Sequence, residues 1–315
     1  MEARSSRREI GFGCFGAAIH GIVAASMCRL FGFRSVIPSQ VHRSLLAADN
    51  ALGVQSNQHP DGWGVAFYVD GAPHVTRSPL TALGDMLFHR LSGVVSSQTV
   101  LAHVRKATQG QINVLNCHPF QYGCWTCAHN GDIPNFDAKR ELLLAEIAPR
   151  LRTFVLGDTD SEVIFYMLLT YLAERGELSG EHRIEDVFDA LRRTVARVRE
   201  LCDDENHSAI LTLVVTDGSC LVATRGGREL FLSTYKGRCS DRDTCASLSA
   251  ECEAPTQSGF VNHFIIASEP LQGENVWSEL EPGEIVGVDQ RMRVVRGRVN
   301  RLSLPLAPSV TARTG

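Results

Sequence analysis

The chain has 315 residues, of which 44% are hydrophobic and 21% charged, with a net charge of −4 and a pI near 6.3. These values describe a globular chain able to enclose one core of roughly 250 residues with tails. They exclude a disordered chain or a membrane bundle, and the acidic balance argues against nucleic acid as a partner. Ten cysteines without regular spacing do not make a disulfide scaffold, so a reducing, cytoplasmic setting is expected.

Residues 1–26 open with Arg4, Arg7 and Arg8, run through an apolar stretch from Ile10 to Ala25 and end on Ala24-Ala25-Ser26. The layout imitates an export signal. Glycines and His20 interrupt it, however, and a cut after Ser26 leaves Met27 in place. No later segment has the ~18 uninterrupted apolar residues of a membrane span.

From Cys28 to Arg34 apolar and polar residues partly alternate, which predicts a strand, and a helical pattern capped by Ser39 follows through Leu46 and Ala47. A Gly/Asn/His/Pro-rich loop, Gly53 to Gly62, leads into the apolar run Val65 to Val69 and a hairpin turn at Asp70-Gly71. Ser78-Pro79 has the form of a helix start and predicts a helix reaching Leu91; Thr99 to Val104 is a β-branched run. Trp125 to His129 reads as a strand ending in a tight turn at Asn130-Gly131.

Helical spacing covers Ala138 to Leu151, Thr159 to Leu172 and Ile184 to Leu201. Strands return at Ala209 to Val215, Cys220 to Thr224, His263 to Ala267 and Glu284 to Val288, with a polar loop over residues 233–260. Five arginines between residues 291 and 301 read as a solvated basic tail. Elements that come in blocks, without strict alternation, predict mixed or antiparallel sheets with helices laid against them, an α+β sandwich.

Five segments carry the chemistry: Met27-Cys28-Arg29, Asp61-Gly62-Trp63-Gly64, His103-Val104-Arg105, Ala128-His129-Asn130-Gly131-Asp132 and Gly157-Asp158-Thr159-Asp160-Ser161-Glu162. Their order and spacing resemble the class II glutamine amidotransferases, and within them the stand-alone YafJ type, over about residues 27–290; Ala267-Ser268-Glu269-Pro270-Leu271 and Asn116-Cys117-His118-Pro119-Phe120 also match.

The resemblance implies an αββα four-layer sandwich of the N-terminal-nucleophile hydrolase type. In it Cys28, as first residue, attacks a γ-glutamyl amide while its own α-amine takes the proton. An α-amine titrates near ~8, suited to neutral pH, and sits by construction beside its own side chain. Asn130 and Gly131 are implied as oxyanion donors, Arg105 as the grip on the substrate α-carboxylate, Asp160 on the α-ammonium, and Thr108 as a further substrate contact. Trp63, His118 and His129 are expected to be structural residues near the site. The expected ligand is glutamine or a γ-glutamyl peptide or conjugate, with a partner synthase or peptidase subunit to receive the product, no membrane, and no metal or cofactor.

The chain departs from sugar-phosphate-synthase amidotransferases at Lys106 and Gln109, where those have tryptophan and histidine, which makes larger γ-glutamyl substrates credible. The expected division is residues 1–27 as an extension absent from or removed in the active enzyme, 28–290 as the amidotransferase domain and 291–315 as the tail. Translation from Met27 followed by methionine removal is the simplest route to a first Cys28.

Two rivals stand beside this reading. One is a non-catalytic subunit that binds γ-glutamyl ligands for a partner enzyme. The other is a zinc or redox protein built on Cys124-Trp125-Thr126-Cys127 with His129, although a zinc site needs four ligands and the chain has no second C-x-x-C.

Overall fold

The computed structural model describes residues 28–299. The strands are β1 (Arg29–Gln40), β2 (Trp63–Val69), β3 (Ala72–Ser78), β4 (Ser96–Val104), β5 (Phe120–Tyr122), β6 (Trp125–Asp132), β7 (Ile210–Thr216), β8 (Leu221–Thr224), β9 (Phe231–Ser233), β10 (His263–Ala267), β11 (Ser278–Glu279), β12 (Glu284–Val288) and β13 (Val294–Arg298). The helices are α1 (Leu52–Gln55), α2 (Met86–Val94), α3 (Phe136–Ala145), α4 (Pro149–Arg152), α5 (Asp160–Ala173) and α6 (Ile184–Cys202). Two antiparallel sheets result, one ordered β11-β9-β10-β1-β4-β2-β3 and the other β13-β12-β8-β7-β6-β5.

The period-2 alternation of β1 explains the layering. Leu30 faces the second sheet and packs with Leu101, Val214, Leu221 and Val286, whereas Phe31 and Phe33 face outward among Val41, Leu45, Leu52 and Phe88. Gly32 lies between the sheets, where a Cβ would already press on Val214. On the far side of the second sheet, Trp125, Leu211, Leu213 and Val215 meet α3, α5 and α6. Helices, sheet, sheet and helices form the expected αββα sandwich.

Several boundaries differ from the sequence expectation. β1 runs on through Pro38 and Ser39 across a register irregularity and rejoins β4 at Ser39–Ser97, so Ser39 caps no helix and the helical turn begins at Arg43. Ser78 ends β3, and α2 starts later with Asp85 as its N-cap, accepting from the Leu87 N–H at 2.9 Å. The helix expected from Ala138 to Leu151 splits, because Pro149 has no N–H to continue it and starts α4 instead. Asn130 and Gly131 make no turn. They continue β6 and pair with Thr212 and Leu211 of β7, whose ladder overrides the turn preference of the dipeptide.

The arginine-rich segment does not leave the domain at residue 290. Val294–Arg298 adds β13 to β12, and Arg293, Arg296 and Arg298 pair with Asp289, Glu284 and Glu281. The expectations for residues 1–27 and for the chain beyond Val299 lie outside the described residues. No helix among the described residues is long and apolar enough to cross a membrane.

Candidate active site

Cys28 is the residue at which the described chain enters the first sheet. Arg29 pairs with Val104, the last residue of β4, so the residues that follow β4, Arg105 and Lys106, come up beside Cys28. There the Cys28 thiol donates to the Lys106 carbonyl at 3.3 Å and receives the Lys106 N–H at 3.2 Å. Cys28 is 8% exposed, and burial pushes its thiol up to about 11, against the lowering effects of the Lys106 N–H and the Arg105 charge. A thiol so placed is protonated at neutral pH and needs a base to become a nucleophile.

A small cavity gathers Cys28, Arg105 and Thr108 from the first sheet and its following loop, His129 and Gly131 from β6, and Thr159 and Asp160 from the start of α5. The α5 terminus is built locally by Thr159, whose hydroxyl caps the helix by accepting from the Glu162 N–H at 3.3 Å. Asp160 is buried, accepting from the backbone N–H groups of Ile133 at 2.9 Å and Ser161 at 2.7 Å, and burial raises its pKa against the pull of His129. The Ser161 hydroxyl stands between Asp160 Oδ1 at 3.1 Å and His129 Nδ1 at 2.8 Å. His129 Nε2 donates to the Ile210 carbonyl at 2.8 Å. His129 therefore braces the acidic end of the cavity.

Arg105 is buried, and its guanidinium donates to the carbonyls of Gln109 at 2.6 Å and Gln111 at 3.1 Å, shaping the loop above the cavity. Its backbone pairs with Asp61 and Gly62, which explains the Asp-Gly-Trp-Gly segment: Arg105 N–H donates to the Gly62 carbonyl at 2.7 Å and Asp61 N–H to the Arg105 carbonyl at 3.1 Å. Trp63 does not reach the cavity. Its ring lies on the outer face of the sheet, 5.0 Å from Phe88, with Nε1 donating to Asp85 at 3.1 Å.

Gly131 lines the cavity, and Asn130 lies one residue away with its amide donating to Ser268 Oγ at 3.4 Å. Ser268 also receives the Leu30 N–H at 2.9 Å, so it joins β1 to Asn130. His118 lines the cavity floor, its ring 4.2 Å from that of His103; burial holds both imidazoles neutral, His103 down to about 3. Ser268 and Ser161 lie within the motifs, yet their bonds to Leu30 and His129, like that of Gln109 to Asp132, join residues remote in sequence and carry no signal in the motifs themselves.

Cys124 and Cys127 do not form a joint site. Cys124 sits in the turn before β6 near the Leu178 carbonyl, Cys127 is buried within the strand, and no cluster able to hold a metal occurs among the described residues.

A family model described as class-II glutamine amidotransferases matches residues 27–303. The YafJ protein of Escherichia coli is 25% identical over 267 residues, which is 82% of this chain and 96% of that protein. The gamma-glutamyl-hercynylcysteine sulfoxide hydrolase of Mycobacterium tuberculosis is 27% identical over 277 residues, 84% of this chain and 94% of that protein. Among solved structures, a glutamine aminotransferase class-II domain protein from Silicibacter pomeroyi superposes with a TM-score of 0.59 at 23% identity, covering 86% of this chain and 99% of that one, a likeness of fold.

Proposed function

The chain belongs to the class II glutamine amidotransferases, and from that premise we propose that it hydrolyses a γ-glutamyl amide with Cys28 as nucleophile. The observation that carries this reading is that one cavity collects the Cys28 thiol with Arg105, Thr108, Gly131 and Asp160. Arg105 and Asp160 supply opposite charges for the two ends of an α-amino acid, which leaves the γ-amide toward Cys28.

In the proposed reaction the active chain begins at Cys28. The free α-amine takes the thiol proton, the sulfur attacks the γ-carbonyl carbon, and the Gly131 N–H and Asn130 amide stabilise the oxygen that becomes negative. The α-ammonium then protonates the leaving nitrogen, and the C–N bond breaks to give a γ-glutamyl thioester. Water attacks the thioester with the α-amine again as base, glutamate departs and the thiol is restored. Ammonia leaves when the substrate is glutamine, and an amine leaves when it is a conjugate.

The mycobacterial relative is named for a γ-glutamyl conjugate, which supports testing conjugates beside glutamine. The free thiols of the nine described cysteines support work in a reducing cytoplasm. The test is a glutamate-release assay on the Cys28-first protein with glutamine, glutathione and γ-glutamyl conjugates side by side. Release from at least one, lost in Cys28→Ala, is expected; no release from any of them rejects the reading in favour of a binding subunit.

A further inference from the structure

Cys28, Lys106 and Asp61 stand in a row at one end of the first sheet. Val104 of β4 pairs with Arg29 of β1 on one side and with Trp63 of β2 on the other, so the residues just before β1, just after β4 and just before β2 are neighbours. The Lys106 backbone touches the thiol, and its side chain continues along the row, with Nζ 3.9 Å from Asp61 Oδ2. Thr159 and Asp160 at the start of α5 and Gly131 of β6 approach the cavity from the side of the second sheet instead. The groups proposed to hold the amino-acid end and the Lys106 ammonium therefore leave the thiol in different directions.

Two cations and two carboxylates occupy this corner, Lys106 with Asp61 and Arg29 with Glu269 at 3.4 Å. Burial first, and then the Arg29 and Lys106 charges, hold His59 down at about 4, so this imidazole is neutral at pH 7 and adds no charge. Of the four charged residues only Lys106 lines the cavity, and its side chain is the most exposed, at 40% against 17% for Asp61. Asp61 does not engage it fully. A separation of 3.9 Å is beyond hydrogen-bond reach, and Asp61 Oδ2 already accepts the Ala107 N–H at 2.9 Å. The ammonium thus keeps three donors open on a flexible four-carbon stem.

We infer that Lys106 forms a subsite for the leaving amine and selects γ-glutamyl amides whose leaving amine carries a carboxylate next to its nitrogen, as a γ-glutamyl amino acid does. The inference rests on the reading of Cys28 as the nucleophile. With the α-amino acid end on Arg105 and Asp160 and the γ-carbonyl at the sulfur, the leaving nitrogen turns toward Lys106. The carboxylate carbon of an α-amino acid lies two bonds beyond that nitrogen, within about 3 Å of it, and a mobile lysine covers that span. Glutamine has no group for this subsite, so Lys106 distinguishes conjugates from glutamine without touching the γ-glutamyl half.

Glutamate release by the Cys28-first protein from γ-glutamylglycine and from γ-glutamylglycinamide, which differ in the carboxylate, tests the assignment, with glutamine assayed beside them. The ratio of kcat/KM for the acid to that for the amide is the readout, because a change in the thiol's surroundings acts on both substrates and cancels. The parent is expected to favour the acid about fivefold or more, the scale of a partly exposed charge-assisted contact. Lys106→Arg should keep the preference, Lys106→Met should bring the ratio close to one, and Lys106→Glu should turn it in favour of the amide. A parent ratio near one, a Lys106→Met ratio equal to the parent's, or turnover of glutamine with neither dipeptide cleaved overturns the inference and leaves the γ-glutamyl reading standing. No release from any of the three substrates overturns both.

Discussion

Gln109 Nε2 donates to Asp132 Oδ1 at 2.9 Å, tying the loop after Arg105 to the end of β6. The same loop gives Arg105 two carbonyls, Gln109 O and Gln111 O, so the guanidinium, the loop and the tie form one hydrogen-bonded unit. Gln109→Ala should therefore raise KM for a γ-glutamyl substrate about 3- to 10-fold, the worth of one ordinary hydrogen bond, with a smaller change in kcat. Gln109→Glu sets a carboxylate against Asp132 and should raise KM further. Steady-state kinetics decide the matter, and an unchanged KM in both variants removes the tie from substrate capture.

Gly131 has no room for a side chain. A Cβ there would overlap the Ile210 carbonyl and the His129 ring, which hydrogen-bond each other at 2.8 Å. The obstruction includes backbone of the neighbouring strand, so local side-chain motion cannot relieve it. Gly131→Ala should cost about 2–4 kcal/mol of stability, the range of severe overpacking with a lost buried hydrogen bond. Urea denaturation at pH 7 checks this, and a midpoint equal to the parent's would refute it.

Asn130 and the charged pair should separate kinetically. Arg105 and Asp160 are proposed to hold groups that do not change during reaction, whereas the Asn130 amide acts on charge that develops only in the transition state. Asn130→Ala is expected to lower kcat about 100-fold or more with little change in KM, the usual effect of removing an oxyanion donor. Arg105→Ala and Asp160→Ala should act mainly on KM. Ser268→Ala, which frees the Asn130 amide from its 3.4 Å contact, should give a smaller kcat loss than Asn130→Ala. A raised KM with unchanged kcat for Asn130→Ala contradicts the oxyanion role.

The sandwich was legible because its causes are local. The apolar run Val65 to Val69 marks a largely buried strand, and the helical spacing of Ile184 to Leu201 marks the buried face of α6. Cys28, Arg105 and Asp160 could be named because each lies in a short motif whose order is specific. Contacts between residues remote in sequence were not legible. Ser268 with Leu30, Gln109 with Asp132, and Ser161 with His129 depend on register and on the packing of α5 against β6. Asn130-Gly131 and the arginine-rich segment misled for the same reason: a neighbouring strand pairs with each and overrides its local preference.

Four histidines make the fold acid-sensitive. Burial lowers His59 and His263 to about 4 and His103 to about 3, and holds His118 well below its ordinary value, against about 6.5 for an unfolded chain. The unfolded state therefore binds protons below pH ~6.5 that the folded state refuses, and stability falls as pH drops through the window from ~6.5 to ~4, by up to about 1.4 kcal/mol per pH unit for each group. Asp160 and Glu162, whose pKa values are raised by burial, take protons earlier in the folded state and offset part of this loss at the acid end. Urea midpoints measured from pH 7.5 to 4.5 should decline with a slope of more than one proton, and His263→Gln should flatten it. A flat profile sinks this account.

Cys28 needs a base close to its sulfur. A thiol pushed up to about 11 and hydrogen-bonded to the backbone of Lys106 has almost no thiolate at neutral pH. His118 and His129 line the same cavity, but His129 has both ring nitrogens engaged, with Ser161 and Ile210, and His118 is held neutral by burial beside His103. The α-amine that a first Cys28 possesses is the remaining group built next to the sulfur, and it titrates near ~8. With Met27 still attached that nitrogen is an amide and accepts no proton. Protein expressed from Met27, with the methionine removed, should release glutamate, and the same chain carrying an uncleaved residue ahead of Cys28 should lose at least about 100-fold in kcat. Intact mass identifies each species before assay. Cys28→Ala in the Cys28-first chain should be inactive with an unchanged urea midpoint, which separates loss of the nucleophile from loss of fold. Equal turnover by chains with and without the upstream residues would overturn the α-amine mechanism.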